Sequence, residues 1–229
     1  MMINLYASMV GAGMAELITL PIAIVKTNYH CKSQSSLTSV IKDIYSINGF
    51  RGFYVASGAT LMAQTVSTSL KYYFYNLFKT FSDNTVLNGI CSGVCASIFS
   101  HPLDVFKIYK QRSQDFNSDI KSIGTKLLFR GYSKTLIRNV LVSSMLFPLY
   151  DLFSTLLPDS VVLASLFTAT AVTVILHPID VMRTRHISLN RNFSYYSVPL
   201  FRGLHLNLLK MCPSFVITMV ITEFIKKKY

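Results

Sequence analysis

Six apolar runs punctuate the chain, near Leu5–Val25, Gly58–Phe78, Val86–Phe106, Leu136–Leu156, Val161–Met182 and Leu204–Ile225. Each reaches the roughly 20 residues that a helix needs to cross a bilayer. Most hold few charges, and those gather toward one end. The connections alternate in length. Ser82-Asp83-Asn84 and Pro158-Asp159-Ser160 are short turns, while the other three connections are long. This pattern predicts an all-α membrane protein of six transmembrane helices, with both termini on one side. Composition agrees: 51% of the 229 residues are apolar and 14% are charged. Such a chain is neither disordered nor an ordinary soluble domain.

The net charge of +12 calls for an anionic partner: a nucleic acid, an acidic lipid or an anionic solute. Its placement narrows the choice. The long connections (27–57, 108–135 and 184–203) hold 12 Lys and Arg against 3 Asp and Glu, whereas the terminal side balances at four against four. Positive charge marks the side from which the chain inserts, so the termini face the opposite compartment. Basic charge divided among three membrane loops lacks the continuous groove that a nucleic acid polymer needs. No basic region precedes the first apolar run, so no cleavable signal is expected. Cys91 and Cys95 share a helix face without further ligands, and no metal site, cofactor or disulfide framework is expected. Nor does any Ser-His-Asp order, metal motif or glycine-rich phosphate loop suggest an enzyme.

The chain also repeats itself about every 76 residues. Prolines recur late in the odd runs: Pro21, Pro102 and Pro178. The second and third copies read His101-Pro102-Leu103-Asp104-Val105-Phe106-Lys107 and His177-Pro178-Ile179-Asp180-Val181-Met182-Arg183. The first reads Pro21-Ile22-Ala23-Ile24-Val25-Lys26. An aromatic-basic-glycine step precedes the fourth and sixth runs, Phe129-Arg130-Gly131 and Phe201-Arg202-Gly203, and is degraded to Tyr54-Val55-Ala56 before the second. Polar endings close the even runs. The expected units are 1–80, 81–157 and 158–229. Proline kinks a helix by removing a donor, so three kinked helices can converge at one end. Asp and Lys or Arg at i, i+3 share a face there. Small residues four apart (Ser8/Ala12, Gly89/Gly93 and Ser165/Ala169) permit close helix packing in lipid.

On these residues the sequence resembles the mitochondrial carrier family over essentially its whole length. The family motif is Pro-x-acid-x-x-base, three times, each followed after a short matrix helix by the aromatic-basic-glycine step. Copies two and three match, whereas copy one has Ala23 in place of the acid. The resemblance implies three pseudo-threefold helix hairpins, each with a short matrix-side helix, in the mitochondrial inner membrane, with the termini in the intermembrane space. It implies a monomeric alternating-access antiporter. The Lys- and Asn-rich composition points to an AT-rich genome and to a giant virus as source.

The resemblance also implies roles for residues. In the family the motif acid of one repeat pairs with the motif base of the next. Asp104 would then meet Arg183 and Asp180 would meet Lys26 in a matrix gate, leaving Lys107 without a partner. Gln111 would brace that gate. At the cytoplasmic gate Lys79 would pair with Asp151, Asn76 would offer Lys226 a hydrogen bond, and Glu223 would lack a cation. Arg130, Gly131, Arg202 and Gly203 would bind cardiolipin at helix N-termini. Solute contacts would come from Arg138, Asn139 and Lys210. The i, i+3, i+7 spacing adds Gln64, Ser67 and Lys71 on one helix face. Several cations favour an anion carrying several charges. A nucleotide or deoxynucleotide is the first expectation; a di- or tricarboxylate or keto acid, suited to the Arg138-Asn139 pair, is the alternative. A third possibility, of another class, is a non-transporting scaffold. Glu16, in the first apolar run, either carries a co-transported proton or pairs with a cation such as Lys210.

Overall fold

A computed structural model describes residues 2–32, 35–82, 84–157, 160–188 and 199–228, and at 2–8, 85, 143, 146, 147, 161, 219 and 222–228 the backbone alone. Six long helices account for most of it: α1 (Met2–Cys31), α3 (Ser57–Lys79), α4 (Thr85–Gln111), α6 (Tyr132–Leu156), α7 (Val161–Ser188) and α8 (Leu204–Lys228). Two short helices, α2 (Leu37–Asn48) and α5 (Phe116–Ile123), lie in the first two long connections. Each runs into two turns of tighter 3₁₀ helix, Gly49–Tyr54 and Gly124–Phe129, before the next long helix. The third short helix expected between α7 and α8 falls on 189–198, outside the described residues. No strand occurs among the described residues.

The short helices start where side chains satisfy free backbone donors. Ser36 accepts from the Ser39 N–H ahead of α2, and Asp115 accepts from the Asn117 N–H ahead of α5. Asn84 does the same for α4, accepting from Val86 and Leu87. Helices α1, α4 and α7 run through Pro21, Pro102 and Pro178 without breaking, and α6 and α8 contain Pro148 and Pro213 as well.

Neighbour contacts close the long helices into a ring in the order α1, α3, α4, α6, α7, α8 and back to α1. The polarity is the inverse of a soluble protein. Ile18, Phe99, Leu163, Phe167 and Ile175 are exposed on the outside, while Glu16, His101, His177, Ser97, Thr168 and Asn207 are buried. By length and apolarity alone, only α1, α4 and α7 carry a spanning stretch among the described residues: Met9–Cys31, Val86–Gln111 and Val162–Ser188. The sequence reading expected six such runs. On the even helices, Gln64 and Lys71, Arg138 and Asn139, and Lys210 line the internal cavity.

A charged cavity between the six helices

All six long helices contribute to one internal cavity of about 340 Å³. Six cations line it: Lys26, Lys71, Lys107, Arg138, Arg183 and Lys210. Three carboxylates face them, Glu16, Asp104 and Asp180. Gln64, Ser67, Asn139 and Gln111 share the wall, so every residue expected to touch solute from the even helices does line this space. An apolar patch of Val142, Val172, Leu176, Met211 and Phe215 completes it on the α6–α8 side.

The ion pairs follow the expected motif in part. Arg183 Nη2 donates to Asp104 Oδ2 at 2.6 Å, the pairing that the family resemblance implies. Asp180 does not meet Lys26 directly. Its Oδ1 is taken by Arg138 Nε, and its Oδ2 accepts from Asn207 Nδ2 at 3.3 Å. Lys26 Nζ instead donates to Asn207 Oδ1 at 2.6 Å, so Asn207 stands between the two charges. Arg138 Nε thus holds Asp180 in the place expected of Lys26. Arg138 is therefore not a free solute ligand here, and neither is Lys210, whose Nζ lies 2.7 Å from Glu16 Oε1. Lys107, expected to stand alone, lies 3.6 Å from Glu16 Oε2. Lys71 is exposed within the cavity and has no hydrogen bond or ion pair among the described residues.

Three features went unread in the sequence. Four residues after each glycine step comes a buried polar side chain: Thr60, Thr135 and Asn207. Thr135 Oγ1 accepts from Arg183 Nε at 2.8 Å, and Asn207 holds Lys26, so both seat the motif base of the next copy. Thr60 Oγ1 has no partner. The signal was present as a polar residue at one register in all three copies. Second, His101 Nε2 lies 3.2 Å from the Arg130 carbonyl oxygen and His177 Nε2 lies 3.3 Å from that of Arg202. These contacts tie each His-Pro to its glycine step. Copy one has leucine in place of the histidine, and there Leu20 packs with Ile24, Ala56 and Ile44. Third, Pro148 and Pro213 interrupt the donor pattern of α6 and α8.

At the long-connection end, Thr27 Oγ1 donates to Gln111 Oε1 at 2.8 Å and Asn28 Nδ2 donates to the Gln111 carbonyl. Gln111 thus joins α4 to α1 without touching an ion pair. Gly131 and Gly203 adopt left-handed backbone, φ 78° and 80°. A Cβ at Gly203 would come within 3.1 Å of His30 and Tyr29, so glycine is needed both for its φ and for its size. Arg202 lies over the Tyr29 ring and donates to the Ser35 carbonyl oxygen. Its guanidinium is thereby committed to the protein, whereas the expectation gave it to lipid. At the terminal end Lys79 and Asp151 are exposed and make no pair with each other, contrary to the expected bridge. Asn76 Nδ2 donates back to the Tyr72 carbonyl. The side chains of Glu223 and Lys226 lie outside the described residues.

Comparison with known proteins gives the same family. A family model described as mitochondrial carrier protein matches residues 1–85 and 83–161. The chain is 42% identical to a mitochondrial carrier-like protein of Acanthamoeba polyphaga mimivirus, over 93% of this chain and 92% of that protein. This likeness agrees with the giant-virus source read from composition. A mitochondrial substrate carrier family protein W of Dictyostelium discoideum is 26% identical over 95% of the chain and 84% of its own length. A mitochondrial glycine transporter of Xenopus tropicalis is 28% identical over 62% of the chain and 55% of its own length. Members of this family move small solutes across membranes as multi-pass proteins of the mitochondrial inner membrane. With a helical ring, a tripled proline motif and a relative of nearly equal span all in agreement, this chain belongs to the mitochondrial carrier family.

Proposed function

We propose that the protein is an alternating-access exchanger of a multiply charged anionic metabolite, and that this anion is a nucleotide or deoxynucleotide. One observation carries the reading: six cations and three carboxylates share a single cavity, leaving three positive charges unbalanced. Buried charge of that size is costly unless a counter-charge completes it. A phosphate chain supplies it, and the forked arginines suit phosphate oxygens. The apolar patch at Leu176, Met211 and Phe215 offers the base a surface.

Carboxylates are the second reading, favoured by Arg138 and Asn139 standing side by side on the cavity wall. Glycine, the solute in the names of several relatives, is a zwitterion and would leave the cavity's excess charge unbalanced. A non-transporting scaffold would have no use for Lys71 held in the cavity with no hydrogen bond or ion pair among the described residues.

In this account the three units 1–80, 81–157 and 158–229 each supply one side of the cavity, and the monomer is complete. The long connections face the matrix and the termini the intermembrane space. Asp104, Arg183, Asp180, Lys26 and Lys107, with Gln111 below them, close the matrix side. Lys79, Asp151, Asn76, Glu223 and Lys226 close the other side in the alternate state. Cardiolipin docks at the N-termini behind Gly131 and Gly203, with Arg130 as its charged contact. Exchange by protein in cardiolipin-containing liposomes, preloaded in turn with nucleotides, deoxynucleotides, citrate and glycine, tests the proposal. Uptake of a phosphorylated anion is expected, and glycine uptake alone would refute it.

A further inference from the structure

The motif bases of copies three and one, Arg183 and Lys26, are seated by residues of the copy before each in the ring. Arg183 is held by Asp104 and by Thr135, and Lys26 is held by Asn207, which also binds Asp180. The equivalent base of copy two's own motif, Lys107, has neither seat. Position 23, where the acid of copy one would stand, is alanine, and Thr60, the residue equivalent to Thr135 and Asn207, is wholly buried with its hydroxyl unpartnered. Lys107 has turned into the cavity instead and approaches Glu16.

Glu16 stands seven residues before Ala23, on the same face of α1 and two turns nearer the middle of the cavity. Both residues line that cavity with Lys107. Its two oxygens are unequally served. Oε1 accepts from Lys210 Nζ at 2.7 Å, while Oε2 is buried without a hydrogen bond and has Lys107 Nζ at 3.6 Å. One carboxylate from α1 therefore restrains a lysine from α4 and another from α8.

We propose that Glu16 is the displaced acid of the first copy, and that it places this sector of the matrix-side closure inside the solute cavity. The other sectors rest on pairs that involve Asp104 and Asp180 at the motif level. This sector rests on two lysines that a bound anion also needs. An incoming anion competes with Glu16 for Lys107 and Lys210, so occupancy of the cavity itself unlocks α1 from α4. Lys107 then has its unused seat at Thr60. The inference rests on the anion-exchange reading above and adds to it the residue that couples solute to opening.

The test replaces Glu16 and then restores an acid at the motif position. Proteoliposomes loaded with labelled ATP, or in a parallel arm with labelled citrate, are diluted into buffer with and without the same unlabelled anion. For Glu16→Gln, efflux into anion-free buffer rises, and the ratio of exchange to unidirectional efflux falls about tenfold, equivalent to about 1.4 kcal/mol of lost coupling. Ala23→Asp added to Glu16→Gln restores the ratio. A ratio unchanged in Glu16→Gln, or a loss that Ala23→Asp does not repair, overturns the proposal.

A second readout does not depend on transport. Thr60→Val leaves the thermal midpoint of the wild-type protein in detergent unchanged or raises it, because the buried hydroxyl has no hydrogen-bond partner among the described residues. In the Ala23→Asp/Glu16→Gln background, where Lys107 is drawn back to the motif level, the same change lowers the midpoint. Equal effects of Thr60→Val in the two backgrounds would refute the vacant seat. Should wild type exchange neither anion, the functional proposal fails at that step, and this thermal cycle still decides where Lys107 sits.

Discussion

Asn207 shows how much one amide can arrange in a cavity of charges. Its oxygen accepts from Lys26, and its Nδ2 faces both His177 Nδ1 at 3.0 Å and Asp180 Oδ2 at 3.3 Å. Asn207→Ala leaves a buried ammonium and a buried imidazole nitrogen short of a partner. The expected loss is about 2 kcal/mol of stability, seen as a lower thermal midpoint in detergent. An unchanged midpoint would mean that Lys26 finds Asp180 directly once the amide is gone. The acids and bases of the motif were legible in the sequence because Asp104 and Arg183, or Asp180 and Lys26, occupy fixed places in a repeated pattern. Which base an acid selects was not, since that depends on side-chain reach across the ring. Arg138 lies 42 residues from Asp180 in the chain, and its Nε meets Oδ1 across the ring. Glu16 was legible as an anomaly, a lone acid in an apolar run, and its pairing with Lys210 was foreseen. Its hold on Lys107 was not, because nothing in the motif places an acid seven residues early.

Between helices, the His-carbonyl links and glycine steps fix where the chain enters α6 and α8. Gly203 has φ 80° and no room for a methyl beside His30 and Tyr29. Gly203→Ala is expected to cost about 1–3 kcal/mol, from backbone strain together with the crowded ring. Gly58, inside α3 and facing open space, is the matched control. Gly58→Ala is expected to be neutral or to stabilise by up to about 1 kcal/mol through helix propensity. Thermal unfolding of the two variants side by side checks both, and equal midpoints would remove the special role given to Gly203. The element boundaries were well marked in the sequence, since proline, glycine and apolar period agreed in copies two and three. Copy one was harder to read. Leu20 and Ala56 replace the histidine and glycine together, so a polar link became an apolar contact and both signals vanished at once. The even helices were read as spans from their apolar residues, although Lys71, Arg138 and Lys210 interrupt those stretches to supply the cavity.

For the whole molecule, the ring is closed at the end where Arg183 meets Asp104, while Lys79 and Asp151 stand apart at the other. Release of the closed end should be visible at Cys31, which is buried there with its sulfur 2.8 Å from Ser188 Oγ. Asp104→Asn leaves the part-buried Arg183 without its carboxylate, a loss of about 1.5–3 kcal/mol. Alkylation of Cys31, followed by mass spectrometry of its peptide, is expected to speed up about tenfold in that variant. An unchanged rate would show that the Asp104–Arg183 pair does not hold this end shut. The central claim is that uncompensated positive charge in the cavity binds the solute. Lys71 isolates it, because this cation lines the cavity with no hydrogen bond or ion pair among the described residues. The most direct measurement is ATP and citrate exchange by Lys71→Ala beside wild type, with thermal midpoints recorded for both. The account predicts an unchanged midpoint with at least about a tenfold loss of exchange for the anion that wild type carries. Wild-type exchange rates in Lys71→Ala would contradict it.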